Sequence, residues 1–151
     1  MESRSVVTRV PSGVLSGVLF VCLAAASAGA AQDAAAARKM KNPVKPTAAS
    51  LKNGQDIFNG LCQACHGPLG NGKGVMATKN PPPADLTDDT WDFGSTDGEI
   101  FEIIMNGAPK EKTVMKGQKG KLQDTEVWNL VNYVRDLAKK QKARAERAKG
   151  E

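Results

Sequence analysis

Cys62-Gln63-Ala64-Cys65-His66 gathers two thiols and an imidazole within five consecutive residues. Two thiols three positions apart at the end of a helix can reach two vinyl groups on one edge of a porphyrin. The histidine directly after the second thiol is then carried beneath the iron. This C-x-x-C-H spacing is the attachment signature of c-type haem, and His66 is the only histidine in the chain. The competing chemistries fit less well. A thioredoxin-type C-x-x-C needs a βαβ setting, zinc needs four ligands, and against a plain Cys62–Cys65 disulfide stand the agreement of export, helical setting, motif and a small core. The expectation is one covalent haem c, with Cys62 and Cys65 as thioether donors and His66 as an axial iron ligand.

The iron has a second axial position. Beyond residue 31 the methionines are Met40, Met76, Met105 and Met115. Met40 lies in a compositionally biased stretch. Met76 follows His66 so soon that it would have to wrap around the ring quickly. Met105 sits within a short helix, where methionine usually fills core gaps. Met115 lies in the irregular segment 110–121, which can be laid across the far face of the ring, so Met115 is expected as the sixth ligand. A His/Met pair favours ferrous iron and raises the potential. With both axial positions filled, substrates cannot easily reach the iron, which points to electron transfer rather than oxygen chemistry.

The elements that must hold these residues are helical. Leu51 to Gln63 carries Leu51, Ile57, Phe58 and Leu61 broadly on one face. Gly54 lies within it, where a glycine costs ~1 kcal/mol relative to alanine; close approach of a second helix would account for it. Gly67 to Asp85 is too dense in Gly and Pro for a regular element. Thr96 and Glu99 form a capping box, followed by a short helix with Ile100, Ile103 and Ile104 on its buried side, ending at Gly107 before Pro109. A last helix begins near Asp124, and Val127, Leu130, Val131, Val134 and Leu137 follow the i, i+3, i+4, i+7 pattern. Neither strand alternation nor an internal repeat is evident, so the fold is all-α with long loops.

Residues 1–31 read as an export signal. Arg4 and Arg9 precede the apolar stretch Val14 to Ala26, and Ala26-Ser27-Ala28 and Ala28-Gly29-Ala30 fit small-x-small cleavage sites. A retained anchor is the alternative, but a span needs roughly 20 strongly apolar residues, and this stretch weakens after Ala24. Leu19-Phe20-Val21 does not suit lipid attachment at Cys22. Residues 32–50 are Ala-, Lys- and Pro-rich and read as a flexible linker. The folded domain is expected over 51–138, and 139–151 as a basic tail on a solvated helix end. The formal net charge of +5 falls slightly when Arg4, Arg9 and Glu2 are removed. That mild excess suits acidic protein partners and, with no recognition motif, gives no argument for nucleic acid.

These residues resemble class I cytochrome c, in particular the small single-haem bacterial kind, over about residues 51–138. Asn53-Gly54-Gln55-Asp56-Ile57-Phe58 through Cys62-Gln63-Ala64-Cys65-His66-Gly67 is similar to that family's first helix and attachment site. Thr96 to Phe101 with Asn106-Gly107-Ala108-Pro109 is similar to its third helix and exit turn, Thr113-Val114-Met115 to its distal Met loop, and Trp128 to Val134 to its C-terminal helix. The resemblance implies three to five helices with long loops wrapped around one covalent haem, and a crossing of Gly54 and Phe58 with Leu130 and Tyr133. It also implies a backbone carbonyl, from Pro68 or a neighbour in the Gly-rich loop, that orients His66. Trp91 and Tyr133 are candidate donors to the haem propionates. The family usually has Pro and aromatic residues after the distal Met; here Lys116-Gly117-Gln118 follows, which implies a looser loop.

The function so implied is that of an exported, periplasmic electron carrier, monomeric and not an enzyme. Lys110, Lys112, Lys116, Lys119 and Lys121 around Met115 would steer an acidic redox partner. Membrane association would follow if the signal were retained. The alternatives are a haem-bearing electron-entry subunit of a larger membrane or dehydrogenase complex and, from the enzyme class, a haem peroxidase or gas-binding sensor.

Overall fold

The computed structural model describes residues 34–109 and 113–150. The expected signal at 1–31, together with Lys110 and Lys112, lies outside the described residues. Helix α1 covers residues 34–39. Helix α2 spans Ala48–Ile57 and passes through a π-helical turn, Phe58–Cys62, into the short α3, Gln63–His66. After a long irregular stretch come α4, Asp97–Asn106, and α5, Asp124–Lys149. Among the described residues there are isolated bridges but no strands. None of the helices among them is long and apolar enough to cross a membrane.

The helices begin where side chains can satisfy their open N–H groups. The Thr47 hydroxyl accepts from Ser50 N–H at the start of α2. Thr96 and Glu99 form the expected reciprocal box at α4, and Gln123 and Glu126 form another at α5. α4 stops at Gly107, as anticipated. Its buried face is Ile100, Phe101 and Ile104; Ile103, expected there, is half-buried. The ring of Phe101 stacks on Trp128 of α5, with centroids 4.2 Å apart.

The core forms where α2 and α5 meet. Phe58, Val127 and Val131 are fully buried and Leu130 nearly so; the Phe58 ring packs at 5.3 Å from Tyr133. Gly54 makes the approach possible. A Cβ on it would stand 2.2 Å from the Asn129 carbonyl oxygen and 2.7 Å from Tyr133 Cβ. The crossing implied by the resemblance is therefore the centre of the fold.

Over its described residues, 34–50, the segment expected as a flexible linker is a packed strap. Ala37 is buried, and Met40 and Val44 lie against the core. Asn42 Nδ2 donates to the Trp128 carbonyl at 3.1 Å and to Asn132 Oδ1 at 2.9 Å. Asn132 Nδ2 donates in turn to the Val44 carbonyl and to Ser50 Oγ, and the Ser50 hydroxyl donates to Asn129 Oδ1. Few bulky apolar side chains are needed when side-chain amides supply the backbone's partners. The basic tail continues α5 without a break to Lys149, and its side chains are almost all exposed.

Arg38 on α1 reaches Glu99 at 2.8 Å. The Thr96 N–H, then the Arg38 guanidinium, and to a lesser degree the Thr96 hydroxyl pull the Glu99 carboxyl from an ordinary 4.5 to about 2, against an opposing effect of burial. A carboxyl depressed in the folded state contributes stability above its unfolded pKa and loses it as pH falls towards the folded one. Denaturant midpoints should therefore fall between about pH 4.5 and pH 2, and Glu99→Gln should flatten that limb. An identical acid limb in the variant would show that Glu99 does not contribute to it.

Candidate haem-attachment site

The π turn sets up the attachment residues. Gln63 N–H bonds to the Phe58 carbonyl, five residues back, instead of following the α-helical ladder. Such a single-turn bulge inserts an extra residue and rotates everything after it. Phe58 thus points into the core, while Cys62 to His66 continue on a re-aimed turn. Both cysteines are free thiols and half-buried. Burial, then the neighbouring Cys65, pushes the Cys62 thiol up to about 11, so it is held as a thiol rather than a metal-binding thiolate. No group of three or more His, Cys, Asp or Glu side chains suited to a metal ion occurs among the described residues, which leaves the zinc alternative without ligands there.

His66 is fixed through its other nitrogen. Its Nδ1 lies 3.0 Å from the Ala84 carbonyl oxygen. A carbonyl can only accept, so Nδ1 carries the proton and Nε2 keeps its lone pair. Burial lowers the His66 pKa, opposed by the bond to Ala84, and so favours the neutral imidazole that a metal requires. The orienting carbonyl is therefore not Pro68 or its neighbours but Ala84, eighteen residues downstream. It lies just after Pro81-Pro82-Pro83. A backbone acceptor leaves no trace in residue type, so only the family resemblance hinted that one was needed.

Met115 comes from a separate segment secured to the end of α4. Met115 N–H donates to Thr113 Oγ1 at 3.1 Å, and its carbonyl accepts from Ala108 N–H at 3.3 Å. Gln118 N–H donates to the Ile104 carbonyl at 2.8 Å and Lys119 N–H to the Met105 carbonyl at 3.0 Å. Gly107 permits this seating. Its φ is +83°, and a Cβ there would lie 2.7 Å from Gly117 N and 2.9 Å from the Met115 carbonyl oxygen. The looser loop expected from Lys116-Gly117-Gln118 is thus held by backbone bonds rather than by Pro and aromatic packing. Met115 and Cys62 pack, half-buried, against the same core.

The other methionines are placed differently. Met76 is 68% exposed, with its N–H donating to the Ala64 carbonyl at 2.7 Å. It therefore lies along the attachment turn itself. Met40 sits against Gly98 in the strap, and Met105 packs half-buried on the core from α4. Arg135 stacks 5.5 Å from the Trp91 ring and bonds Asp97 at 2.9 Å, while Tyr133 turns its hydroxyl towards Gln55.

The donor set fits a c-type haem. It offers two unpaired thiols on one helical turn, an imidazole fixed with Nε2 free, and a thioether on a segment packed against the same core. Comparisons with known proteins agree. Residues 49–134 match the family model for cytochrome c oxidase, cbb3-type, subunit III. The chain is 34% identical over 92 residues to cytochrome c6 of Parathermosynechococcus lividus, covering 61% of this chain and 95% of that protein. It is 33% identical over 88 residues to the cbb3-type cytochrome c oxidase subunit FixP of Azorhizobium caulinodans, spanning 58% of this chain but only 27% of that subunit. Among solved structures, the reducing HAO-like protein complex of Kuenenia stuttgartiensis contains a chain that aligns with a TM-score of 0.56 at 29% identity, over 63% of this chain and 46% of that one.

Proposed function

Because the chain belongs to the c-type cytochrome family of cbb3-type oxidase subunit III, and carries covalently bound haem c in an all-α cytochrome c fold, we propose that it is an exported, periplasmic carrier of single electrons between redox proteins. Cys62 and Cys65 form the thioethers, and His66 and Met115 are the axial ligands. When bound, the haem supplies a reversible ferric/ferrous couple. The protein's part is to hold that couple still and keep substrates away from it. Ala84 fixes the imidazole, and the hydrogen-bonded Thr113–Lys119 segment presents the thioether. The observation that carries this reading is the His66–Ala84 bond, because it leaves Nε2 as the only ligand-competent nitrogen beside the two thiols.

The surroundings suit docking. Exposed apolar side chains flank the ligand residues: Leu61 before Cys62, Val75 and Met76 beside Cys65, and Val114 before Met115. Lys73, Lys79, Lys116, Lys119 and Lys121 are exposed in the same loops. An apolar contact ringed by lysines supports an acidic redox partner.

A second reading is an electron-entry module of a larger complex. It is favoured by the FixP subunits, which extend well beyond the matched length, and by the Kuenenia complex. The domain boundaries we propose are an export signal at 1–31, a body that begins with the strap rather than at 51, and a basic extension from 139. The native protein should purify alone if it is a diffusible carrier and with a large partner if it is a subunit.

For either reading, colour should stay with the polypeptide through acid–acetone extraction, and the reduced protein should fail to bind carbon monoxide near neutral pH. Extractable colour would remove the thioethers from the account, and rapid carbon monoxide binding would transfer it to the sensor or peroxidase class.

A further inference from the structure

We infer that the C-terminal extension of α5 is an electrostatic docking arm for an anionic phospholipid surface. The last buried side chain of α5 is Leu137, yet the helix continues to Lys149. At ~1.5 Å per residue, the part beyond Ala138 adds about 16 Å of helix to the body. That stretch carries Lys139, Lys140, Lys142, Arg144, Arg147 and Lys149 against the single acid Glu146. Lys140 pairs with Asp136 and Lys142 with Asp89. Lys139, Arg144, Arg147 and Lys149 have no ion-pair partner among the described residues.

The apolar content of the extension decides what kind of surface it suits. Its only apolar side chains are Ala143, Ala145 and Ala148. They offer nothing to bury in a protein groove or to insert among acyl chains, so attachment must be Coulombic. The ~100° step of the helix puts Lys140, Arg144 and Arg147 on one flank and Lys139, Lys142 and Lys149 on the other. A shaped protein partner is met by one stripe. A fluid layer of phosphate headgroups accepts long cationic side chains reaching down from both flanks of a helix lying along it. For a carrier working beside membrane-bound redox partners, such an arm confines diffusion to the surface and releases it as salt rises.

The test uses the full-length mature holoprotein and vesicles of pure phosphatidylcholine or of equal parts phosphatidylcholine and phosphatidylglycerol. The protein should sediment with the mixed vesicles at low salt, not with the neutral ones, and come off as salt is added. Each basic residue near an anionic surface is worth about fivefold in partitioning. Arg144→Gln/Arg147→Gln/Lys149→Gln should therefore cut binding roughly a hundredfold, with an unchanged visible spectrum showing that the body is folded. Lys116→Gln/Lys119→Gln/Lys121→Gln removes the same charge from the Met115 segment and should leave binding within about twofold. The arm is overturned if the wild-type protein ignores anionic vesicles, or if both triple variants lose binding equally. It is also overturned if the α5 variant keeps vesicle binding but slows reduction by an acidic redox protein, which would make the arm a protein contact.

Discussion

Met115→Ala should abolish the far-red band that ferric haem shows with a thioether ligand, and should lower the reduction potential by on the order of 0.2 V, out of the ~0.8 V that axial ligands command among haem proteins. The protein should also become able to bind carbon monoxide, because the axial position that we propose Met115 fills would be opened. Met76→Ala and Met105→Ala should leave the band in place. Met76 lies exposed along the attachment turn, beside Cys65. Met105 belongs to α4, and it is its carbonyl, not its sulfur, that the Met115 segment uses, through Lys119 N–H. If Met105→Ala alone removed the band, the sixth ligand would have been assigned to the wrong residue.

Gly54→Ala should destabilise the holoprotein by about 3 kcal/mol or more, the upper end for overpacking a core, and lower its melting temperature by roughly 15 °C for a domain of this size. On an exposed helix the same change would stabilise by ~1 kcal/mol. Here the sign reverses because the obstacle, 2.2 Å from the new Cβ, is the Asn129 backbone carbonyl, which cannot rotate aside. Gly60, in the π turn, is the internal control. A Cβ there meets nothing within 4 Å, so Gly60→Ala should not destabilise. A Gly54→Ala protein melting within about two degrees of wild type would mean that the helices can part cheaply, and that the crossing is not what organises the fold.

What was legible in the sequence was what residue type alone specifies. The C-x-x-C-H run, the Thr96–Glu99 box and the apolar ladder of α5 each follow from side-chain chemistry at fixed spacing, and α4 and α5 lie where those signals put them. Gly54 was legible as an anomaly, a costly residue in need of a neighbour. What escaped was backbone business. The π turn has no residue signature, Ala84 acts through a carbonyl that any residue would provide, and the Met115 segment is seated by main-chain bonds. The strap escaped for a related reason. Its Ala, Lys and Pro content reads as too polar to fold, but Asn42 replaces apolar burial with hydrogen bonds to Trp128 and Asn132, and these have no periodicity to detect.

The strap also has a mechanical meaning. A tension applied at residue 34 would not be taken up by slack chain. It would be borne in shear by Arg38 on Glu99, Asn42 on α5 and Val44 on Asn132, and so delivered to the two helices that hold the Met115 segment and the core. The load is therefore shared among contacts on two helices, and no single hydrogen bond carries it alone.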